Sequence, residues 1–359
     1  MLKKPYNALI IGMRDDGQKP NIGGGLCRAL RSPHWNPGKD LTWRIGGIAT
    51  STDAEVHNEF GVARNKFNSN DRREFRDLLE AVRPNVGFIC IPTRDDGTTA
   101  WHYAEDLLDF GAVASTAEKG IVSGQYDKAK SRIKDIDLSA SIGGSNRFLY
   151  APKLQHLRGR RVTIHAIFNA TLHCTLPIAR KVSPEEAVDV ALKRGIAEPP
   201  PNGEQLDFRG LINGEIPDLD KKTRGFYNHL LADNDPLLLK PLGDTQISDA
   251  DVERLIDPND NRVMIVKYTN QKAHMSVDDD LIAPLRASVG EWNISVGFKS
   301  IAGGSPLAEW LASVTDIDNS VLLSLDGRRY VISTGPGAGQ ATVDALIEGA
   351  LDKLALGRD

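Results

Sequence analysis

Two residue patterns in this chain bear on chemistry. The first is a short apolar strand, Asn7 to Gly12, that ends in glycine and is followed by Gly23, Gly24 and Gly25 and then a helix. A glycine-ended strand leading into a helix lets backbone N–H groups come close to a pyrophosphate. The glycine cluster arrives only after the polar segment Met13 to Ile22, so the strict GxGxxG spacing is absent and a glycine-rich surface loop is the competing reading. The second pattern is Asp218 followed four residues later by Lys222. Taken alone, that spacing usually means an ion pair on the surface of a helix.

The second strand of such a fold ends near the adenosine ribose, where an acidic residue favours NAD. Here the strand ends in Ala49-Thr50-Ser51-Thr52, and Arg14 and Lys19 lie in the long first loop. Uncharged hydroxyls with nearby basic groups lean toward a 2′-phosphate, and so toward NADP over NAD; solvated surface bases are the alternative. No metal centre is expected, because His165, His173 and Cys174 form neither a helical HExxH nor a paired-cysteine pattern.

The 359 residues are 40% hydrophobic and 26% charged, with 44 Lys plus Arg against 48 Asp plus Glu. A net charge of −4 lacks the basic surplus that phosphate neutralisation needs, so a nucleic-acid partner is not expected. Ala8 to Ile11 is far shorter than a signal-peptide core, and no run approaches the ~20 apolar residues of a spanning helix. Cys27, Cys90 and Cys174 are odd in number and widely spaced, which fits thiols in a reducing cytoplasm.

The elements that would position these groups change character along the chain. Strand-like segments at Asn7–Gly12, Leu41–Ala49, Val86–Ile91 and from Ala112 alternate with helical ones at Asp71–Arg83 and Thr98–Phe110, which implies a mostly parallel sheet. After Gly143-Gly144 the pattern shifts. Arg161–Ala170 alternates Val162, Ile164, Ala166 and Phe168 against Thr163 and His165, a strand with one covered face ending near Asn169 and Thr171. Ser183-Pro184-Glu185-Glu186 opens a helix that ends at Gly195. Asn319–Ser333 reads as a hairpin turning at Asp326-Gly327, and a final helix from about Ala341 places Val343, Leu346, Ile347 and Ala350 on one side.

Taken in order, several segments resemble homoserine dehydrogenase. Ser115-Thr116-Ala117-Glu118-Lys119-Gly120 is similar to the family's TANKG element, with Glu118 in place of Asn, and Ser141-Ile142-Gly143-Gly144-Ser145 to its (A/S)VGGG turn. Asn169 to Leu176 sits where the family has NGTTNYIL, matching at Asn169, Thr171 and Leu176. Gly195-Ile196-Ala197-Glu198-Pro199 resembles GYxEP, Asp218 to Lys222 the GxDxxxK element, Val314 to Val321 the GTDNxV segment, and Gly335 to Gly339 the final GxGAG turn. The departures, Ile196 for tyrosine and Pro200 for an acidic residue among them, concentrate where the substrate's amino-acid end would be held.

The resemblance implies an α/β protein: a Rossmann-like dinucleotide-binding domain over residues 1–152, an α+β substrate-binding and dimerisation domain over 153–334, and a C-terminal helix over 335–359 that returns to the first domain. It implies an NAD(P)-dependent dehydrogenase acting on a CH–OH group, which interconverts homoserine and aspartate semialdehyde in amino-acid biosynthesis as a cytoplasmic homodimer. Lys222, Lys119 and Asp218 would be catalytic, because neighbouring ammonium groups depress one another's pKa and let one accept the hydroxyl proton. Glu198, Thr171 and Asn169 would bind substrate. Gly12, Gly23, Gly25, Thr93, Thr116, Lys119, Gly335 and Gly339 would bind the dinucleotide. The family's C-terminal amino-acid-sensing domain is not expected here. A relative acting on another small hydroxy or oxo compound, or a dinucleotide-binding regulator without turnover, remains an alternative.

Overall fold

The structure, a computed structural model, describes residues 5–12, 22–32, 35, 42–58, 61–68, 71–93, 96–157, 159–197, 205–232, 246–271 and 281–356. The chain forms two compact units, Met1–Ser141 with Gly339–Asp359 and Ile142–Ala338.

The first unit alternates strands and helices. In chain order these are β1 (Tyr6–Ile11), α1 (Ile22–Arg31), β2 (Trp43–Ala49), β3 (Asp53–Asn58), β4 (Gly61–Lys66), α2 (Arg72–Val82), β5 (Val86–Ile89), α3 (Thr98–Asp109), β6 (Val113–Thr116), α4 (Gly120–Gly124), α5 (Tyr126–Lys130) and β7 (Ile136–Asp137). They build a seven-stranded sheet in the order β4-β3-β2-β1-β5-β6-β7. The pairs from β2 to β7 are parallel, whereas β3 and β4 add an antiparallel hairpin at one edge. The unbroken apolar runs in β1 and β5 suit strands covered on both faces. On one face Gly47 lies under Val82 of α2 and Gly87 under Leu107 of α3, so the missing side chains let both helices settle closely. Asp71 caps α2 by accepting from Arg73 N–H at 2.9 Å.

The second unit contains β8 (Val162–Ile167), α6 (Ala170–Lys181), α7 (Pro184–Lys193), α8 (Phe208–Leu230), α9 (Asp249–Ile256), β9 (Val263–Thr269), β10 (Ile282–Val289), β11 (Trp292–Lys299), α10 (Pro306–Ser313), β12 (Asp318–Leu325) and β13 (Arg328–Pro336). Its six strands run antiparallel in the order β10-β11-β9-β8-β12-β13. A column of aromatic rings fixes α8 on this sheet: Phe168 lies 5.1 Å from Phe226, which stacks 5.1 Å from Tyr268. The buried Tyr268 hydroxyl then donates to the Thr223 carbonyl at 2.9 Å. Trp310 of α10 packs with Ile167, Ile265 and Leu322 in a separate cluster.

The expected hairpin turns at Asp326 and Gly327, both with positive φ, at 49° and 85°. The expectation for β8 needs correcting, since Thr163 is buried as well and its hydroxyl pairs with Thr269 at 2.8 Å. Lying between β9 and β12, this strand is central, and all of its residues but the half-buried His165 are buried.

The last helix, α11 (Gln340–Leu356), belongs to the first unit. It buries Val343, Leu346, Ile347 and Ala350 in the same core as Leu26 and Leu30 of α1 and Ala8 and Ile10 of β1. Two buried hydroxyls tie it down, Ser115 to the Leu346 carbonyl and Ser139 to that of Ala345, each at 3.1 Å.

Candidate functional site

In the second unit the chain turns from β8 straight into α6, and the first residues of that helix face α8. Asn169 is the N-cap of α6: its Oδ1 accepts the Leu172 N–H at 2.7 Å. That contact fixes the amide's orientation and leaves Nδ2 to donate to Glu215 Oε2 at 2.6 Å. Glu215, Asp218 and Lys222 follow one another at helical spacing along a single stripe of α8. The Lys222 ammonium donates to Asp218 Oδ2 at 2.7 Å and to the Phe168 carbonyl at 2.9 Å. The pair is largely shielded, with side-chain exposures of 13% for Lys222 and 29% for Asp218, so it is not a solvated surface ion pair.

An ammonium has three N–H donors, and these contacts use two of those on Lys222. Among the described residues the third has no partner. Burial and, after it, the negative charge of Asp218 push the Glu215 carboxyl above the ordinary carboxylate range, against the pull of Asn169 and Lys222.

Asn169 and Thr171 therefore do not end a strand; they begin a helix, and both side chains already have partners. The Thr171 hydroxyl donates to the Ile196 carbonyl at 2.7 Å, fastening the segment after α7. Glu198 lies outside the described residues. His173 contacts the Val314 carbonyl at 3.0 Å, and burial, with Asp316 next to it, pushes the Cys174 thiol up to about 11. His229 packs its ring 5.4 Å from that of Tyr150. Among the described residues no group of three or more His, Cys, Asp or Glu side chains could hold a metal ion. Glu215 was missed from sequence, although its spacing from Asp218 and Lys222 carried the signal.

Three further motifs of the second unit meet one another. Asn146 Nδ2 donates to the Gly335 carbonyl at 2.9 Å, Ser145 Oγ to that of Pro336 at 3.2 Å, and the buried Asn319 side chain lies against Gly337. Gly335 itself is a residue of β13 rather than the start of the final helix segment.

In the first unit Gly12 follows β1 with φ of 92°, and its N–H donates to the Ala49 carbonyl at 2.8 Å. A Cβ there would stand 2.7 Å from the Cys90 carbonyl oxygen, so only glycine fits. Gly23 and Gly25 are not in a loop before the helix, as expected, but are buried in the first turn of α1. A Cβ on Gly25 would come 3.1 Å from Val343 of α11, so its bareness serves helix packing. Gly339, with φ of 70°, immediately precedes α11.

The segment after β6 is held just as tightly. Thr116 Oγ1 donates to the Ile89 carbonyl at 3.0 Å and accepts the Glu118 N–H at 2.9 Å, while Thr93 Oγ1 accepts the Lys119 N–H at 3.2 Å. Glu118 accepts from Gly120 and Ile121 N–H groups at 2.7 and 3.0 Å, and its burial raises its pKa despite both.

Just beyond β2 lies a groove of about 410 Å³ lined by Ser51, Thr52, Lys66, Phe67, Asn68 and Glu74. Lys66 comes from the β3–β4 hairpin, which the sequence did not disclose. The close-fitting Gly12, the parallel sheet and this groove suit a dinucleotide, with Lys66 the cationic group of its lining.

No family model and no curated protein matches the chain. Solved structures do. A homoserine dehydrogenase from Thermoplasma acidophilum is 14% identical over 98% of this chain and 99% of its own, with a TM-score of 0.60. A hyperthermophilic archaeal homoserine dehydrogenase in complex with NADPH is 15% identical over 99% of both chains, with a TM-score of 0.64. A third, from Thiobacillus denitrificans, is 18% identical over 99% of this chain and 74% of its own, at a TM-score of 0.62. The chain has the fold of these enzymes: a mixed α/β architecture with one largely parallel and one antiparallel sheet.

Proposed function

We propose that the protein is an NADP(H)-dependent oxidoreductase that interconverts a small hydroxy amino acid and its oxo counterpart, homoserine and aspartate semialdehyde in the first instance. The observation that carries this reading is the shielded Lys222 ammonium, held by Asp218 and the Phe168 carbonyl with one donor left over. Its setting is a fold whose solved examples include an NADPH complex.

Reduction of a carbonyl needs a proton delivered to oxygen as the hydride reaches carbon. Lys222 is the proton donor in this direction, using its third N–H. Asp218 keeps the ammonium aimed. In oxidation the neutral Lys222 amine takes the hydroxyl proton, and Asp218 then stabilises the resulting charge. Bound dinucleotide supplies or receives the hydride. Lys119, whose backbone N–H is anchored on Thr93, is assigned the second lysine, and Glu198 the partner of the substrate's amino group. Lys66 beside Ser51 supports NADP over NAD, although Glu74 lines the same groove and the Thr52 hydroxyl donates to the Asp53 carboxylate at 2.7 Å.

A second reading keeps the chemistry and changes the substrate. It is favoured by the Ile196 carbonyl being occupied by Thr171 at the segment where the resemblance departs most from its pattern. Purified protein mixed with NADPH and aspartate semialdehyde, and separately with NADP+ and homoserine or other hydroxy acids, distinguishes the two through the absorbance of reduced nicotinamide. Turnover of another hydroxy acid alone selects the second reading. Saturable dinucleotide binding without turnover of any of them overturns both.

A further inference from the structure

The hydrogen bonds around Lys222 close into a ring. Lys222 reaches the Phe168 carbonyl at 2.9 Å, and the next residue, Asn169, reaches back to Glu215 at 2.6 Å, so α8 grips the β8–α6 turn at two points. Asp218 lies between them and binds Lys222 at 2.7 Å. The Asn169 amide cannot turn over to release Glu215 without giving up the cap on Leu172 N–H, which it holds at 2.7 Å. The peptide whose carbonyl aims Lys222 is thus clamped from one side by a helix cap and from the other by a carboxylate.

We propose that Glu215 is the positioning residue of Lys222: by holding Asn169 it fixes the peptide whose Phe168 carbonyl aims the ammonium. The inference rests on the oxidoreductase reading above for the use made of Lys222. The charges acting on Glu215 are those of Asp218 and Lys222 on its own helix, while the β8–α6 turn offers it only the neutral Asn169 and Thr171.

Glu215→Gln and Glu215→Ala in the full chain separate geometry from charge, because glutamine still accepts from Asn169 and alanine does not. The β8–α6 turn is read by amide hydrogen exchange at Leu172, whose N–H Asn169 caps. Exchange there is expected to keep its wild-type rate in Glu215→Gln and to rise by roughly 10-fold in Glu215→Ala. Glu215→Gln should also retain at least ~10-fold more of kcat than Glu215→Ala, with dinucleotide KM unaltered in both. Faster Leu172 exchange in Glu215→Gln overturns the proposal, even if Glu215→Ala fails to fold; equal kcat values for the two variants of an active protein also overturn it. The expected exchange pattern in a protein that turns over no substrate upholds Glu215 and overturns the oxidoreductase reading instead.

Discussion

The Nζ of Lys222 donates to the main-chain carbonyl of Phe168, 2.9 Å away on a different element. Main chain is a steadier partner than a second side chain, because the carbonyl belongs to a peptide fixed by β8 on one side and the cap of α6 on the other. Lys222 is therefore aimed before any substrate arrives.

Removing the amine should remove the chemistry and leave the fold. Lys222→Met is expected to lower kcat by roughly 10²–10⁴-fold, the usual share of a positioned acid or base. Dinucleotide affinity, measured by fluorescence titration, should be unaltered. A kcat within twofold of wild type would remove Lys222 from the mechanism.

The β3–β4 hairpin places Lys66 beside the hydroxyls of Ser51 and Thr52. Lys66→Ala should raise KM for NADPH by about 10-fold, the effect of losing one charge-assisted contact to a phosphate. KM for NADH should not move, and steady-state kinetics with both dinucleotides provide the comparison. An equal rise for both would mean that the lysine does not read the 2′-phosphate.

At Gly12 a methyl group meets two obstacles, the Cys90 carbonyl oxygen 2.7 Å from the new Cβ and a φ of 92°. Gly12→Ala should cost on the order of 3 kcal/mol. Urea unfolding of the two proteins measures this directly, and an unchanged midpoint would contradict the close approach.

Glu118 gives stability a pH dependence of known sign. Burial raises its pKa above the ordinary 4.5, so the folded chain holds this proton more tightly than the unfolded one. Its contribution to stability is complete below about pH 4.5 and declines as pH rises from there through the raised value. Glu118→Gln should flatten that decline. Urea midpoints collected from about pH 4 to 8 test it, and parallel profiles for the two proteins would refute the assignment.

Much of this arrangement is legible in the sequence where one face of an element is dry. The alternating first half, the capped start of α7 and the Asp326-Gly327 turn follow from periodicity and turn chemistry. α6 escaped because its buried residues lie around most of its circumference, Ala170, Thr171, Leu172, Cys174, Thr175 and Leu176 among them, so no single stripe stands out. The hairpin escaped for the opposite reason: every residue of β4 is exposed, and no alternation marks it. Asp218 and Lys222 were visible as a pair, yet their shielding and the Phe168 carbonyl are tertiary facts. Glu215 was legible in its spacing from Asp218 and Lys222, whereas its contact with Asn169 is again a tertiary fact.

The two polypeptide lengths that make the first unit are separated in the chain by the whole of the second. A ribosome completes Ile142–Ala338 before it makes α11, whose Val343 must pack on Gly25 and whose carbonyls receive Ser115 and Ser139. Until then the core that α1 and β1 share with α11 lacks its last helix. Nascent-chain truncations that stop just before Gln340 should therefore expose the Leu26 and Leu30 surface to chaperones.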